Sequence, residues 1–215
     1  MGIARRIGEI KMTDYKFIER AAPAGVSLFF VFHGTGGDEF QLFEVAQSIM
    51  PEAHIISVRG DVSEHGALRF FKRTGEGVYD MADLAIRTTA LCEFIAHHKE
   101  KTQAPCVAGL GYSNGANILA SIMFKTPELF DEVVLMHPLI PWVPAEQFGL
   151  AGKRVLITAG KRDDICPAAL SEGLAAYFEQ QNAETKLLWH DGGHELRQTE
   201  IDGAKAFIDS NTSCS

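Results

Sequence analysis

Three side chains, far apart in the chain, have the types and the order needed to make a hydroxyl reactive in neutral water. Ser113 sits in Gly111-Tyr112-Ser113-Asn114-Gly115, Asp163 in Gly160-Lys161-Arg162-Asp163, and His194 in Asp191-Gly192-Gly193-His194. A serine hydroxyl is a poor nucleophile until a base takes its proton, and the base needs an acid to orient it and stabilise its charged form. A strand–turn–helix elbow supplies these groups in the chain order serine, acid, histidine. Rivals exist for each role. Asp164 adjoins Asp163, but neighbours in a loop rarely point the same way, and Asp191 reads as a turn former. His137 and His190 each end a strand on the same edge and compete for the role of base. His54, His65, His97 and His98 read as surface or partly buried histidines. The plain structural alternative is a tight turn whose serine caps a helix, with Asp163 capping a loop.

A second constellation lies in His33-Gly34-Thr35-Gly36-Gly37-Asp38-Glu39. Acyl transfer passes through a tetrahedral oxyanion, which preorganised backbone N–H groups stabilise. The N–H after the nucleophile, here that of Asn114, is one expected donor, and the glycine-rich loop after an earlier strand offers another at Thr35. No Gly-Lys-Ser/Thr follows these glycines, which argues against a nucleotide-binding loop. His33 reads as a residue that pins the loop.

Positioning these groups on one rim requires alternating strands and helices. Val26–Phe32 and His54–Val58 are nearly continuous apolar runs, as expected of strands covered on both faces. Tyr15–Glu19 alternates weakly and suits an outer strand. Pro105–Leu110 precedes the serine turn, and Ala116–Phe124 continues it as a helix. Further strands are expected at Glu132–Met136, Arg154–Thr158 and Thr185–Trp189, with helices over 42–49, 81–98, 168–181 and 195–208. This alternation predicts an α/β fold with a mostly parallel central sheet and helices on both faces. Arg59 to Asp80 reads as the longest irregular stretch, a length that is usually functional.

With 215 residues, 46% of them apolar, and no linker, repeat or low-complexity tract, one domain over 1–215 is expected. A formal charge of −8 argues against nucleic acid or an anionic membrane as the main partner. No apolar run reaches membrane-spanning length, and Met1–Ile10 lacks the apolar segment of a secretory signal. Cys92, Cys106, Cys166 and Cys214 show no metal-type spacing and read as reduced thiols, with Cys106 a small core residue, so a cytoplasmic protein is expected.

Taken together, His33–Glu39, Gly111–Asn117, Gly160-x-x-Asp163-x-x-x-Pro167 and Gly193-His194 resemble the α/β-hydrolase fold. More narrowly, they resemble the small phospholipase/carboxylesterase family near its dienelactone-hydrolase-like members, over the chain from about residue 25 onward. The resemblance implies hydrolysis of carboxylic esters or thioesters without a metal or organic cofactor. Two departures matter. Dienelactone hydrolases use a cysteine nucleophile, so Ser113 moves the reading toward ordinary esterases. Asn114 stands where many members carry glutamine, a change that leaves the backbone N–H in place.

About sixteen residues, Pro138 to Lys153, separate the strands at 132–136 and 154–158, too few for a cap domain. An open pocket is therefore expected, with Leu139 and Ile140 on one wall and Phe70 and Phe71 on another, although these aromatics fit a core equally well. Arg69 and Arg73 could attract an anionic substrate or stand as solvated surface residues. The expected activity is cleavage of a small-molecule ester by Ser113, His194 and Asp163, with an acyl thioesterase or lysophospholipase as the alternative. A homodimer is left open.

Overall fold

The computed structural model describes residues 15–75 and 77–211. Its spine is a seven-stranded sheet. β1 (Phe17–Arg20) is the antiparallel edge strand and pairs with β3 (His54–Val58), which lies beside β2 (Leu28–Phe32). The helix α1 (Phe43–Ile49) connects β2 to β3. The order across the sheet is β1, β3, β2, β8 (Val107–Tyr112), β9 (Glu132–Met136), β10 (Arg154–Gly160) and β11 (Glu184–His190), parallel throughout except at β1.

Burial on both faces explains the unbroken apolar strands. Along β2, Leu28, Phe30 and Phe32 enter one core while Phe29 and Val31 enter the other. The first core is closed by α2 (Met81–Thr102), α3 (Asn114–Lys125) and α4 (Ala168–Gln180); the second by α1 and α5 (Gln198–Asp209). The helix α3 lies between the sheet and α2 and is buried almost all round, which is why its sequence carries so few charges. The acidic start of α2 has a local cause: the Asp80 carboxylate accepts the N–H of Asp83 at 3.0 Å, satisfying a donor that the helix leaves free.

Two expectations are corrected. The stretch from 59 to 80 is not irregular throughout. It carries two small antiparallel ribbons, β4 (Val62–Glu64) with β5 (Ala67–Arg69) and β6 (Arg73–Gly75) with β7 (Val78–Tyr79). Short strands with polar residues escape a search for buried apolar runs. The second concerns Cys106, which is disulfide-bonded rather than a reduced thiol, whereas Cys92 and Cys166 are free and buried. Cys214 lies outside the described residues. No described helix is long and apolar enough to cross a membrane.

Candidate active site

The turn from β8 into α3 sets the geometry. Gly111 and Gly115 face one another across it: a Cβ on Gly111 would lie 2.5 Å from the Gly115 carbonyl oxygen, and one on Gly115 would strike the backbone of Phe32 and His33. Two glycines are the local condition for strand and helix to pass this closely. Ser113 takes φ 52° and ψ −115°, a conformation that costs an L-residue about 1–3 kcal/mol and is held by the packed elements on either side. Its N–H is anchored on the Met136 carbonyl at 2.8 Å. The hydroxyl thereby stands at the N-terminus of α3, where unsatisfied N–H groups favour negative charge.

Three sequence-selected residues meet there. His194 Nε2 lies 2.9 Å from Ser113 Oγ, and His194 Nδ1 lies 2.8 Å from Asp163 Oδ2. Asp163 Oδ1 accepts the N–H groups of Ile165 and Cys166 at 2.9 and 2.8 Å. Burial pushes the Asp163 carboxyl up, but the Cys166 N–H and the imidazoles of His137 and His194 outweigh it and hold the group below its ordinary range. The neighbouring Asp164 is exposed. The loops carrying the acid and the histidine are joined: Lys161 N–H donates to the His190 carbonyl and Arg162 N–H to the Gly192 carbonyl, both at 2.9 Å. Tyr112, beside the serine, donates its hydroxyl to the His194 carbonyl at 2.7 Å.

The glycine-rich loop after β2 is fixed as the sequence suggests. His33 Nε2 accepts the Gly60 N–H at 2.9 Å, so its Nδ1 carries the proton and donates to the Gly34 carbonyl at 2.7 Å. The Thr35 N–H makes no hydrogen bond within the described residues, nor does the N–H of Asn114 at the helix start. The Asn114 side chain is structural on its oxygen side, accepting the Phe70 N–H at 2.8 Å.

Behind the acid lies a layer that sequence reasoning missed. His137, fully buried, donates from Nδ1 to Asp163 Oδ2 at 2.8 Å, so one carboxylate oxygen serves two imidazoles. Its Nε2 is 3.0 Å from Glu200 Oε1. Glu200 also accepts from Thr158 Oγ1 at 2.5 Å and faces His190 Nε2 at 3.3 Å. Burial alone would push the His137 imidazole down, but hydrogen bonds to Glu200 and Asp163 raise it, which favours the charged imidazolium between two carboxylates. The strand-end position of His137 was visible in the sequence; its partner Glu200, on the inner face of α5, had no motif to mark it. Two clusters have metal-ligand spacing, His137 with His190 and Glu200, and His137 with Asp163 and His194, each with ligand atoms within 4.8 Å. Their nitrogens and oxygens are committed to one another as a hydrogen-bonded charge chain.

The cavity over Ser113, about 300 Å³, is lined by Thr35, Arg69, Arg73, Tyr112, Leu139 and His194 among others. Leu139, one of the expected wall residues, lines this cavity. Phe70 and Phe71 do not: both are fully buried in the core and neither lines the cavity. Phe70 packs edge-on to Phe32 and beside His33, supporting the loop from behind. Ile140 lines a separate groove with Trp142 and Tyr177.

A parallel sheet edged by one antiparallel strand, with a strained serine where its central strand turns into a helix, defines an α/β-hydrolase. No family model matches the chain. It is 41% identical over 183 residues to MhqD of Bacillus subtilis (strain 168), whose name calls it a hydrolase; the match covers 84% of this chain and 92% of that one. A solved structure of a protein of unknown function from Agrobacterium tumefaciens str. C58 is 49% identical, with a TM-score of 0.88 over 94% of this chain and 98% of that one. The Bacillus cereus carboxylesterase is 37% identical, with a TM-score of 0.85 over 91% and 94%. The chain belongs to the α/β-hydrolase family, with these small hydrolases and carboxylesterases.

Proposed function

We propose that the protein is a carboxylesterase that cleaves small esters through an acyl-enzyme on Ser113. The observation that carries this reading is the continuous hydrogen-bonded path from Ser113 Oγ through His194 to Asp163. His194 takes the serine proton as Oγ attacks the acyl carbon, and then gives it to the departing alcohol. Asp163 keeps the imidazole oriented and offsets its positive charge. The backbone N–H groups of Thr35 and Asn114, uncommitted among the described residues, receive the oxyanion. Removing one such donor typically raises the barrier by about 3 kcal/mol. Water activated by His194 then releases the acid. Each step moves protons and electron pairs only among these groups, ester and water.

The cavity of about 300 Å³ favours short acyl groups over the long chains of a lysophospholipid. The test is turnover of p-nitrophenyl acetate and butyrate. Ser113→Ala should abolish hydrolysis above the uncatalysed rate, and a variant as active as the parent removes the mechanism. A series from acetyl to palmitoyl should peak at short chains, and a rise toward palmitoyl returns the thioesterase or lysophospholipase alternative.

A further inference from the structure

The charge of the cavity wall is opposite to that of the molecule. The chain carries a formal charge of −8, yet the ionisable cations facing the cavity, Arg69 and Arg73, have no carboxylate beside them among the lining residues. Their counter-charge among the described residues is Glu64, set back from the cavity. Arg73 Nε lies 3.0 Å from both Glu64 oxygens, and Arg69 Nη1 lies 3.3 Å from one of them. Among the described residues, two positive charges against one negative leave the wall with a net positive charge.

Arg69 is the more telling residue. Its side chain is only 4% exposed. Burial pushes the guanidinium down, the neighbouring Arg73 charge pushes the same way, and Glu64 opposes both. A buried guanidinium is costly unless its donors are used. Its Nε donates to the Phe71 carbonyl at 3.3 Å and its Nη1 to Thr35 Oγ1 at 3.0 Å, while its Nη2 makes no hydrogen bond to any described residue. Thr35 is the residue whose N–H is available to the oxyanion, so the guanidinium stands one side chain away from the reacting carbonyl.

We infer that Arg69 and Arg73 form an anion subsite beside Ser113, and that the natural substrate is a short ester bearing a carboxylate, such as the monoester of a small dicarboxylic acid. This deepens the esterase reading and rests on it. The planar fork of an arginine matches a carboxylate geometrically, and a low-dielectric wall makes the contact stronger than it would be in water. The small cavity keeps the carboxylate and the scissile bond only a few atoms apart. A positive cleft in a negative molecule also concentrates anionic substrate at its mouth.

The test compares charged and neutral esters of one shape. The parent enzyme should hydrolyse p-nitrophenyl hemisuccinate, with the anion on the acyl half, or 4-carboxyphenyl acetate, with the anion on the leaving half, with kcat/KM about tenfold above the matching neutral ester. That ratio should fall as salt is raised. Arg73→Gln should collapse the ratio, and Glu64→Gln, which frees both arginines, should raise it. A residue that merely holds the loop would change charged and neutral rates together. Equal rates for charged and neutral esters, or a ratio indifferent to both substitutions, overturns the subsite. Calorimetric titration of the folded Ser113→Ala protein with succinate separates the two readings. Binding that Arg73→Gln removes supports the subsite even if esters are not turned over, and absence of binding counts against it even if they are.

Discussion

Replacing His137 with phenylalanine would leave two carboxylates, Asp163 and Glu200, facing each other's field across a dry gap. All three side chains are fully shielded from solvent. Phenylalanine keeps the ring's volume, while φ 51° at this position adds backbone strain that does not vary with pH. Breaking a buried ion pair by removing one partner typically costs about 3–5 kcal/mol. A chain of this size loses about 2–4 °C of melting temperature per kcal/mol, so the variant should melt roughly 6–20 °C below the parent near pH 7.5. The deficit should shrink toward pH 5. The bare carboxylates, no longer held down by the imidazolium, can take up protons in the folded state and escape the penalty. Glu200→Gln in the His137→Phe background removes one orphaned charge and should recover at least about 1 kcal/mol, a coupling that distant sites do not show. The assay is urea unfolding of parent, single and double variants at both pH values. A His137→Phe protein within about 1 kcal/mol of the parent at pH 7.5, or a deficit that does not move with pH, refutes the buried cation.

Other outcomes follow from the same structure. Gly115→Ala should give a destabilised, inactive protein, because its Cβ meets the Phe32 and His33 backbone, which cannot move without shifting the sheet; thermal melting and ester turnover check it. Tyr112→Phe removes the hydroxyl that holds the His194 carbonyl and should cost about 1 kcal/mol of stability, with a fall in kcat larger than the change in KM. Acid should unfold the protein through Asp163 and Glu200. Both carboxyls are held below their ordinary range, so their stabilisation is complete above pH about 4–5 and is lost as pH falls through the folded values. His137 acts with the opposite sign. Its raised value stabilises fully below the ordinary histidine range of about 6.5, and that share is lost as pH rises through the folded value. Denaturant midpoints from pH 3 to 10 should therefore pass through a maximum, and a flat profile contradicts both assignments.

Most of the scaffold was legible because its cause is local. The runs at 28–32 and 133–136 are apolar at every other position for one core and at the alternate positions for the second, as two-sided strands need, and 55–58 follows the same pattern apart from Ser57. The serine turn was legible because glycine is required at both flanks. Asp163 and His194 could be selected by chain order, and the structure brings them within hydrogen-bonding distance of each other and of Ser113. What could not be read was anything decided by partners distant in sequence. Phe70 and Phe71 looked like a pocket wall because an aromatic pair has no signature for the side it faces; the loop turns them inward, where Phe70 supports the His33 strand end. Glu200 carries no motif of its own, and only the approach of β9 and β10 gives it an imidazole and a hydroxyl. The fate of Cys106 likewise depended on a partner that spacing did not indicate.

The seam between the 161–163 and 190–194 segments has an evolutionary corollary. Because main-chain bonds at Lys161 and Arg162 tie one segment to the other, and because a side chain at Gly160 would run into the backbone at Gly192 and Gly193, neither can drift alone. A length change in either would move acid and imidazole as a unit away from the hydroxyl. The two small ribbons that carry Arg69 and Arg73 share no such seam among the described residues, so a side chain altered there can reshape the cavity wall while the hydrogen bonds among Ser113, His194 and Asp163 keep their alignment.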